Sequence, residues 1–93
     1  MRIIWSEIAQ ATFVRFMADQ AGMMAVNRAV EALADDPAPV GAFVRGAYRR
    51  LRVGPCRVLY EVEENLITIV RIDRVQAVGH RLEQAVREAA EIA

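Results

Sequence analysis

The fold of this chain is decided by one segment, Tyr48-Arg49-Arg50-Leu51-Arg52-Val53-Gly54-Pro55-Cys56-Arg57-Val58-Leu59-Tyr60. Its apolar and charged side chains alternate on both sides of Gly54-Pro55, a pattern typical of two strands joined by a tight turn. Because side chains of a strand alternate between two faces, Arg50 and Arg52 are expected on one face and Leu51 and Val53 on the other. The segment therefore predicts a β-hairpin with one apolar face and one face that carries arginine.

The hairpin also concentrates positive charge. Five arginines lie from Arg45 to Arg57, and no acidic residue interrupts them. The whole chain is neutral, since 12 basic residues, all arginine, balance 12 acidic ones, so the cluster is local. Arginine grips phosphate oxygens in a bidentate manner, which makes this face a candidate phosphate site. The alternative interpretation is that the arginines only solvate an exposed sheet face.

Composition limits the possible classes of protein. A chain of 93 residues, 55% hydrophobic and 26% charged, is expected to form a single compact domain over residues 1–93. No apolar run approaches the ~20 residues of a membrane helix, and the N-terminus lacks an export signal, so we expect a cytoplasmic protein without a membrane segment. The single cysteine, Cys56, and single histidine, His80, argue against a disulfide, a zinc site or any other cofactor. Since the net charge is zero, any contact with nucleic acid must use a focused patch.

The first half of the chain predicts a strand and two helices. Arg2-Ile3-Ile4-Trp5 has the branched and aromatic residues of a short strand, and Ser6 is a good N-cap for the helix that follows. Gly22 is expected to end that helix in a left-handed conformation. A second helix follows, with Val26, Ala29, Val30 and Leu33 at helical spacing, and it ends before Pro37.

The second half predicts a sheet and a last helix. After a loop through Gly41 and Gly46, the hairpin and the apolar run from Leu66 to Ile72 form a three-stranded antiparallel meander, with a second turn at Glu64-Asn65. Residues 79–93 are expected to form an amphipathic helix. The predicted order is β-α-α-β-β-β-α, an α+β domain whose antiparallel sheet has a helical hairpin packed on one face and a C-terminal helix.

The order and spacing of several motifs resemble the RelE/ParE superfamily of bacterial toxins. The pieces are Trp5-Ser6 with Ala9, Asp36-Pro37-Ala38-Pro39-Val40-Gly41, Arg45-Gly46 and, above all, Leu51-Arg52-Val53-Gly54-Pro55-Cys56-Arg57-Val58-Leu59-Tyr60-Glu61-Val62. The resemblance runs from about Ile3 to Ile72. It implies the toxin of a type II toxin–antitoxin pair, neutralised by a cognate antitoxin and able to form a hetero-oligomer with it on operator DNA.

The RelE-like branch implies a ribosome-dependent mRNA endoribonuclease that arrests translation, with the ribosome and mRNA as further partners. In that reaction the 2′-hydroxyl attacks the adjacent phosphate, and basic side chains stabilise the charge of the transition state. The resemblance implies two sets of site residues by motif position. The candidate catalytic residues are Arg52, Arg57, Arg74, His80 and Arg81, and the candidate RNA-binding residues are Arg45, Arg49 and Arg50.

The sequence departs from the family pattern towards its C-terminus. Val78-Gly79-His80-Arg81 follows the last strand by several residues, and no tyrosine occurs after Tyr60. Either Arg74 takes the basic position directly after the strand, or an insertion delays the motif and His80 and Arg81 form the functional pair. His80 is then a general acid or base, or else a histidine without a role. Cys56 stands where an aromatic residue is common, which removes one candidate platform for base stacking.

Two rival functions share the same fold. A ParE-like toxin binds DNA gyrase and needs no acid or base residue, which suits the missing tyrosine. A toxin fold without activity would still bind its antitoxin and help to repress its operon. Translation arrest separates the nuclease from both rivals, and a supercoiling assay separates the rivals from each other.

Overall fold

The computed structural model describes residues 1–75. Its elements are β1 (Arg2–Trp5), α1 (Glu7–Arg15), α2 (Gln20–Ala32), β2 (Phe43–Arg45), β3 (Tyr48–Val53), β4 (Cys56–Glu63) and β5 (Leu66–Arg74). The five strands form one sheet in the order β1-β5-β4-β3-β2. α1 packs on β5, and α2 packs on β3 and β4. The predicted α+β architecture with a helical hairpin on one sheet face is confirmed, and the predicted helix over residues 79–93 lies outside the described residues.

The sheet is antiparallel except at one edge. β2 to β5 pair antiparallel in sequence order, through turns at Gly54-Pro55 and Glu64-Asn65 as predicted. β1 lies beside β5 in parallel, with Trp5 opposite Ile69. Between β4 and β5 the register skips from Arg71 to Ile69, so Val70 is the extra residue of a β-bulge.

Ser6 joins the first helix to that bulge. Its hydroxyl oxygen accepts a hydrogen bond from the Ala9 amide at 3.0 Å, which is the predicted N-cap, and its hydroxyl donates to the Val70 carbonyl at 2.7 Å. The Ser6 amide also donates to the Ile69 carbonyl. One short side chain therefore starts α1 and holds it on the sheet.

Gly22 does not end the first helix, and that prediction was wrong. α1 ends at Arg15, and Gly22 lies inside α2, where Asp19 is the N-cap and accepts from the Gly22 amide at 3.0 Å. A Cβ at position 22 would overlap the Asp19 carboxylate. Gly22 thus makes room for a helix start, which a sequence pattern does not distinguish from a helix stop.

Phe43–Arg45 form a strand that the sequence analysis assigned to a loop. The meander therefore has four antiparallel strands, not three. β2 turns into β3 through Gly46 and Ala47, and Gly46 adopts a positive φ of 62°. Three residues are too few to display a period of two, so only this turn signalled the extra strand.

The core fills the space between the helical hairpin and the sheet. Met23, Val26, Val30 and Leu33 are buried at helical spacing along α2. They face the buried strand residues Cys56, Val58, Tyr60, Ile67, Ile69 and Ile72. The Tyr60 hydroxyl donates to the Pro37 carbonyl at 2.9 Å, which ties the end of the helical hairpin to the sheet.

Replacing Asp19 with alanine is expected to lower the free energy of unfolding by about 1–2 kcal/mol, because the α2 N-cap is lost. Asp19 also pairs with Arg74 at 3.3 Å, but the side chains are 30% and 41% exposed, so that pair contributes under ~1 kcal/mol. Asp19→Asn keeps the cap and should lose little, and Asp35→Ala is the control on an exposed aspartate. Urea denaturation measures all three, and equal losses in the two Asp19 variants would refute the capping role.

Cys56 is expected to react with a thiol reagent only after unfolding. The side chain is fully buried, and burial raises the pKa of the thiol above its usual value, although Arg74 and Arg52 oppose the shift. Because the folded pKa is the higher one, this group's contribution to stability is complete below about pH 8.5 and is lost as the pH rises through the folded pKa. Reaction with a disulfide reagent at about pH 8, with and without urea, tests this. Rapid reaction of the native protein would contradict it.

Candidate nucleic-acid interface

One face of the sheet points away from α1 and α2, and we call it the arginine face. Cross-strand partners share a face, so the register assigns its residues. On β3 and β4 the pairs Arg50–Leu59 and Arg52–Arg57 lie on this face, whereas Leu51–Val58 and Val53–Cys56 face the helices. The predicted separation of Arg50 and Arg52 from Leu51 and Val53 is thus confirmed. The arginine face carries Arg45, Arg50, Arg52, Arg57 and Arg71.

Arg52 and Arg57 lie directly opposite each other across the hairpin. Like charges in this position destabilise a sheet by up to ~1 kcal/mol, because the two guanidinium groups repel each other. The Nε of Arg52 donates to the Gly54 carbonyl at 2.6 Å, which fixes the stem of that side chain beside the turn. An anion between the two guanidinium groups would remove the repulsion, so the pair is suited to a phosphate.

Acidic side chains neutralise only one edge of the arginine face. Asp73 lies opposite Arg57 in the register but pairs with Arg71, whose Nε is 2.8 Å from its carboxylate. Among residues 1–75, no carboxylate forms an ion pair with Arg45, Arg50, Arg52 or Arg57. Glu61 and Glu63 occupy the far end of the same face, towards the second turn. The positive charge is therefore concentrated over β2, β3 and the start of β4.

Two aromatic residues belong to this face, and the sequence analysis missed both. Phe43 lies opposite Arg50, and the guanidinium carbon of Arg50 is 5.2 Å from the centroid of its ring. Tyr48 lies opposite Arg45 in the next row. The turn at Gly46-Ala47 was the available signal, because it makes residues 43–45 the partner of the following strand. Cys56, in contrast, is buried towards the helices, so position 56 is not part of the arginine face.

Two of the predicted site residues have their side chains on the other face of the sheet, towards the helices. Arg49 faces the helices, and its guanidinium donates to the Pro37 carbonyl at 2.9 Å. Arg74 shares the face of Cys56, pairs with Asp19 and lies 5.9 Å from the ring of Phe16. Neither residue joins the others on the arginine face. Both make structural contacts, Arg49 with a backbone carbonyl and Arg74 with a carboxylate.

A groove of about 610 Å³ runs along the end of β5, past the end of β1. Arg57, Arg71 and Asp73 line it from the arginine face, and Arg15, Phe16 and Arg74 line it from the helical side. Arg57 and Arg74 therefore reach one groove although they start on different faces. The candidate residues His80 and Arg81 lie outside the described residues.

The described part of the chain offers neither a metal site nor a membrane span. Within residues 1–75, no cluster of histidine, cysteine and acidic side chains could hold a metal ion. None of the helices described is long and apolar enough to cross a membrane.

This architecture is that of known bacterial toxins. The chain is similar to the toxin–antitoxin complex RelBE2 from Mycobacterium tuberculosis, with 20% identity, a TM-score of 0.68 and coverage of 80% of this chain and 96% of that one. It is similar to a chain of the chromosomal ParDE system from P. aeruginosa, with 22% identity, a TM-score of 0.60 and coverage of 82% and 97%. An arginine-to-alanine mutant of the E. coli toxin RelE in the free state gives 14% identity, a TM-score of 0.65 and coverage of 92% and 95%.

The family follows from the sequence. Residues 3–84 match the family of ParE toxins of type II toxin–antitoxin systems, parDE. No curated protein sequence matches the chain significantly. The match covers most of the chain, so this protein belongs to the ParE toxin family, within the RelE/ParE superfamily that the sequence motifs indicated.

Proposed function

We propose that this toxin is a ribosome-dependent mRNA endoribonuclease and that the arginine face binds the RNA. The observation that carries the proposal is the group of Arg45, Arg50, Arg52 and Arg57 on one sheet face, which no carboxylate of residues 1–75 neutralises, in a chain whose net charge is zero. Such a group attracts a polyanion locally without binding nucleic acid everywhere on the surface. The toxin would act in the cytoplasm, where translating ribosomes are found.

In the proposed reaction, Arg52 and Arg57 hold the phosphate that is cut. The 2′-oxygen of the preceding nucleotide attacks phosphorus, a cyclic phosphate forms, and the bond to the 5′-oxygen of the next nucleotide breaks. Negative charge grows on the phosphate oxygens during this step, and two fixed guanidinium groups stabilise that charge without rearrangement. Proton transfer from the 2′-hydroxyl and to the 5′-oxygen requires a further group, for which His80 and Arg81 are the candidates.

A second function is supported by the family match. Residues 3–84 match ParE toxins, and a ParE-like toxin is expected to inhibit DNA gyrase and not to cleave RNA. This function would need no acid or base residue. It would use the same basic face, or another one, to contact gyrase or its DNA.

A reconstituted translation system tests the two functions against each other. Purified toxin is added to ribosomes that translate a defined mRNA, and primer extension maps the new 5′ ends; gyrase supercoiling is assayed in parallel. We expect ribosome-dependent cuts and unchanged supercoiling. Blocked supercoiling without cuts would assign the chain to the gyrase branch, and the absence of both effects would identify a toxin fold without activity.

We also propose that a helix of the cognate antitoxin binds between α1 and α2. A groove of about 470 Å³ lies there, lined by the apolar side chains of Phe13, Met17, Met23 and Met24 and by four polar or charged side chains. Met17 and Met24 are about half exposed on its rim. An amphipathic helix with apolar residues at helical spacing would bury this surface.

Co-expression with the gene beside the toxin gene tests this partner. The two proteins should co-elute in size-exclusion chromatography at micromolar concentration. Met24→Glu should weaken the complex, because it puts a charge into the groove, whereas Ala25→Glu, on the neighbouring exposed position of α2, should not. Independent elution of the wild-type proteins would refute the proposal.

A further inference from the structure

Phe43 is an apolar aromatic side chain that does not contribute to the core. The residue is 58% exposed, and the register directs its side chain to the arginine face, opposite Arg50. Tyr48, 42% exposed, lies on the same face beside Arg45. Two exposed aromatic rings thus alternate with two arginines on the β2–β3 hairpin.

Arg50 is held beside the Phe43 ring by packing. Its guanidinium carbon lies 5.2 Å from the ring centroid, and it donates no hydrogen bond to any residue from 1 to 75. Its Nε is buried and has no partner among the described residues. The guanidinium therefore keeps its position beside the ring while its hydrogen-bonding capacity is unused.

The charge around these rings indicates what could bind to them. No acidic residue occurs from Pro37 to Tyr60, so the surface of the hairpin is basic as well as aromatic. A purely apolar partner would bury unneutralised arginines at a high cost, whereas a ligand with a flat ring and a nearby anion satisfies both features. A nucleotide of a single strand has this chemistry, because each base has a stacking face and each linkage a phosphate.

We infer that Phe43, extended by Tyr48, is a stacking platform for an unpaired base of the RNA, and that Arg50 binds the phosphate beside that base. The inference rests on the proposed function and adds a base-contacting residue to it. Arg52 lies two residues from Arg50 along β3, about 7 Å away, so the base on Phe43 would belong to a nucleotide next to the cut. Phe43 would then influence which sequence is cut.

Binding of short fluorescent RNA oligonucleotides tests the platform. Phe43→Leu keeps an apolar side chain but removes the ring, and we expect about tenfold weaker binding of normal RNA. An RNA of the same length whose bases are replaced by abasic sites should bind the variant and the wild type equally. Arg50→Ala should instead weaken both RNAs and flatten the dependence of affinity on salt. Val44→Ala, on the same strand but on the other face, is the matched control and should leave binding unchanged.

Phe43→Trp gives a direct spectroscopic readout. Its indole fluorescence should be quenched when normal RNA binds, whereas the wild type, which has only Trp5 on the helical side, should show little quenching. The same oligonucleotides made of DNA show whether the platform prefers RNA. Equal binding by Phe43→Leu and the wild type, with mRNA cleavage intact, would overturn the platform alone. Equal losses for normal and abasic RNA would overturn it as well, and failure of the wild type to bind or cut RNA would overturn both the platform and the proposed function.

Discussion

Alanine in place of Arg52 or Arg57 is expected to lower mRNA cleavage on the ribosome by about a hundredfold or more. Removal of one preorganised donor to a developing charge typically costs that much in rate. The fold should not suffer, because the two side chains oppose each other as like charges on an exposed sheet face. The thermal melt should stay within about 0.5 kcal/mol of the wild type, or rise slightly.

The chain provides matched controls for this experiment. Arg28→Ala makes the same chemical change on α2, away from the arginine face, and should leave cleavage unchanged. Arg52→Lys keeps the charge but not the bidentate geometry, so we expect an intermediate rate. Full activity in both alanine variants would show that these arginines only solvate the sheet surface. A collapsed melt for Arg57→Ala would show that this residue is structural.

Truncation of Ile69 to alanine should destabilise the protein by about 2–5 kcal/mol, the usual range for a buried isoleucine. Ile69 is fully buried on the interior strand β5, between Trp5 of β1 and Tyr60 of β4. A cavity there is bordered by strands on both sides, which limits its collapse. For a domain of this size the melting temperature should fall by about 10 °C or more.

Thr68→Ala is the control for Ile69, because it changes the neighbouring residue of the same strand on the opposite face. Thr68→Ala should lower the free energy of unfolding by well under half of the loss expected for Ile69→Ala. Urea denaturation followed by the fluorescence of Trp5 measures both variants, since Trp5 packs against Phe13 at 5.4 Å and reports on the joint between β1 and α1. A loss below about 1 kcal/mol for Ile69→Ala would contradict the assigned core.

The sequence was sufficient for the hairpin and for the presence of α1 and α2, although not for the end of α1, because their patterns are long. The alternation from residue 48 to residue 60 assigned the faces of Arg50 and Arg52 correctly, and the capping role of Ser6 was read from one residue. The face of Arg49 could also have been predicted, because residues two apart in a strand share a face. Arg49 shares the face of Leu51 and therefore faces the helices. The same alternation places Arg74 on the face of Ile72, which is also the face towards the helices.

The rest depended on contacts distant in the sequence. Phe43 becomes part of the arginine face only through its pairing with Arg50, and no local pattern in a three-residue strand indicates this. The contact between Arg74 and Asp19 joins residues 55 positions apart. Gly22 is explained by the carboxylate of Asp19, which a glycine read alone does not reveal.

The parallel pairing of β1 with β5 has a consequence for the order in which the toxin matures during synthesis. Residues 2–5 leave the ribosome before residues 66–69 of β5, with which they pair. Until that strand has been made, β1 and the bulge contact of Ser6 have nothing to bind, and the core around Ile69 is open. Contacts of such long range also form slowly. A newly made chain therefore completes its sheet only after residues 66–69 have been made.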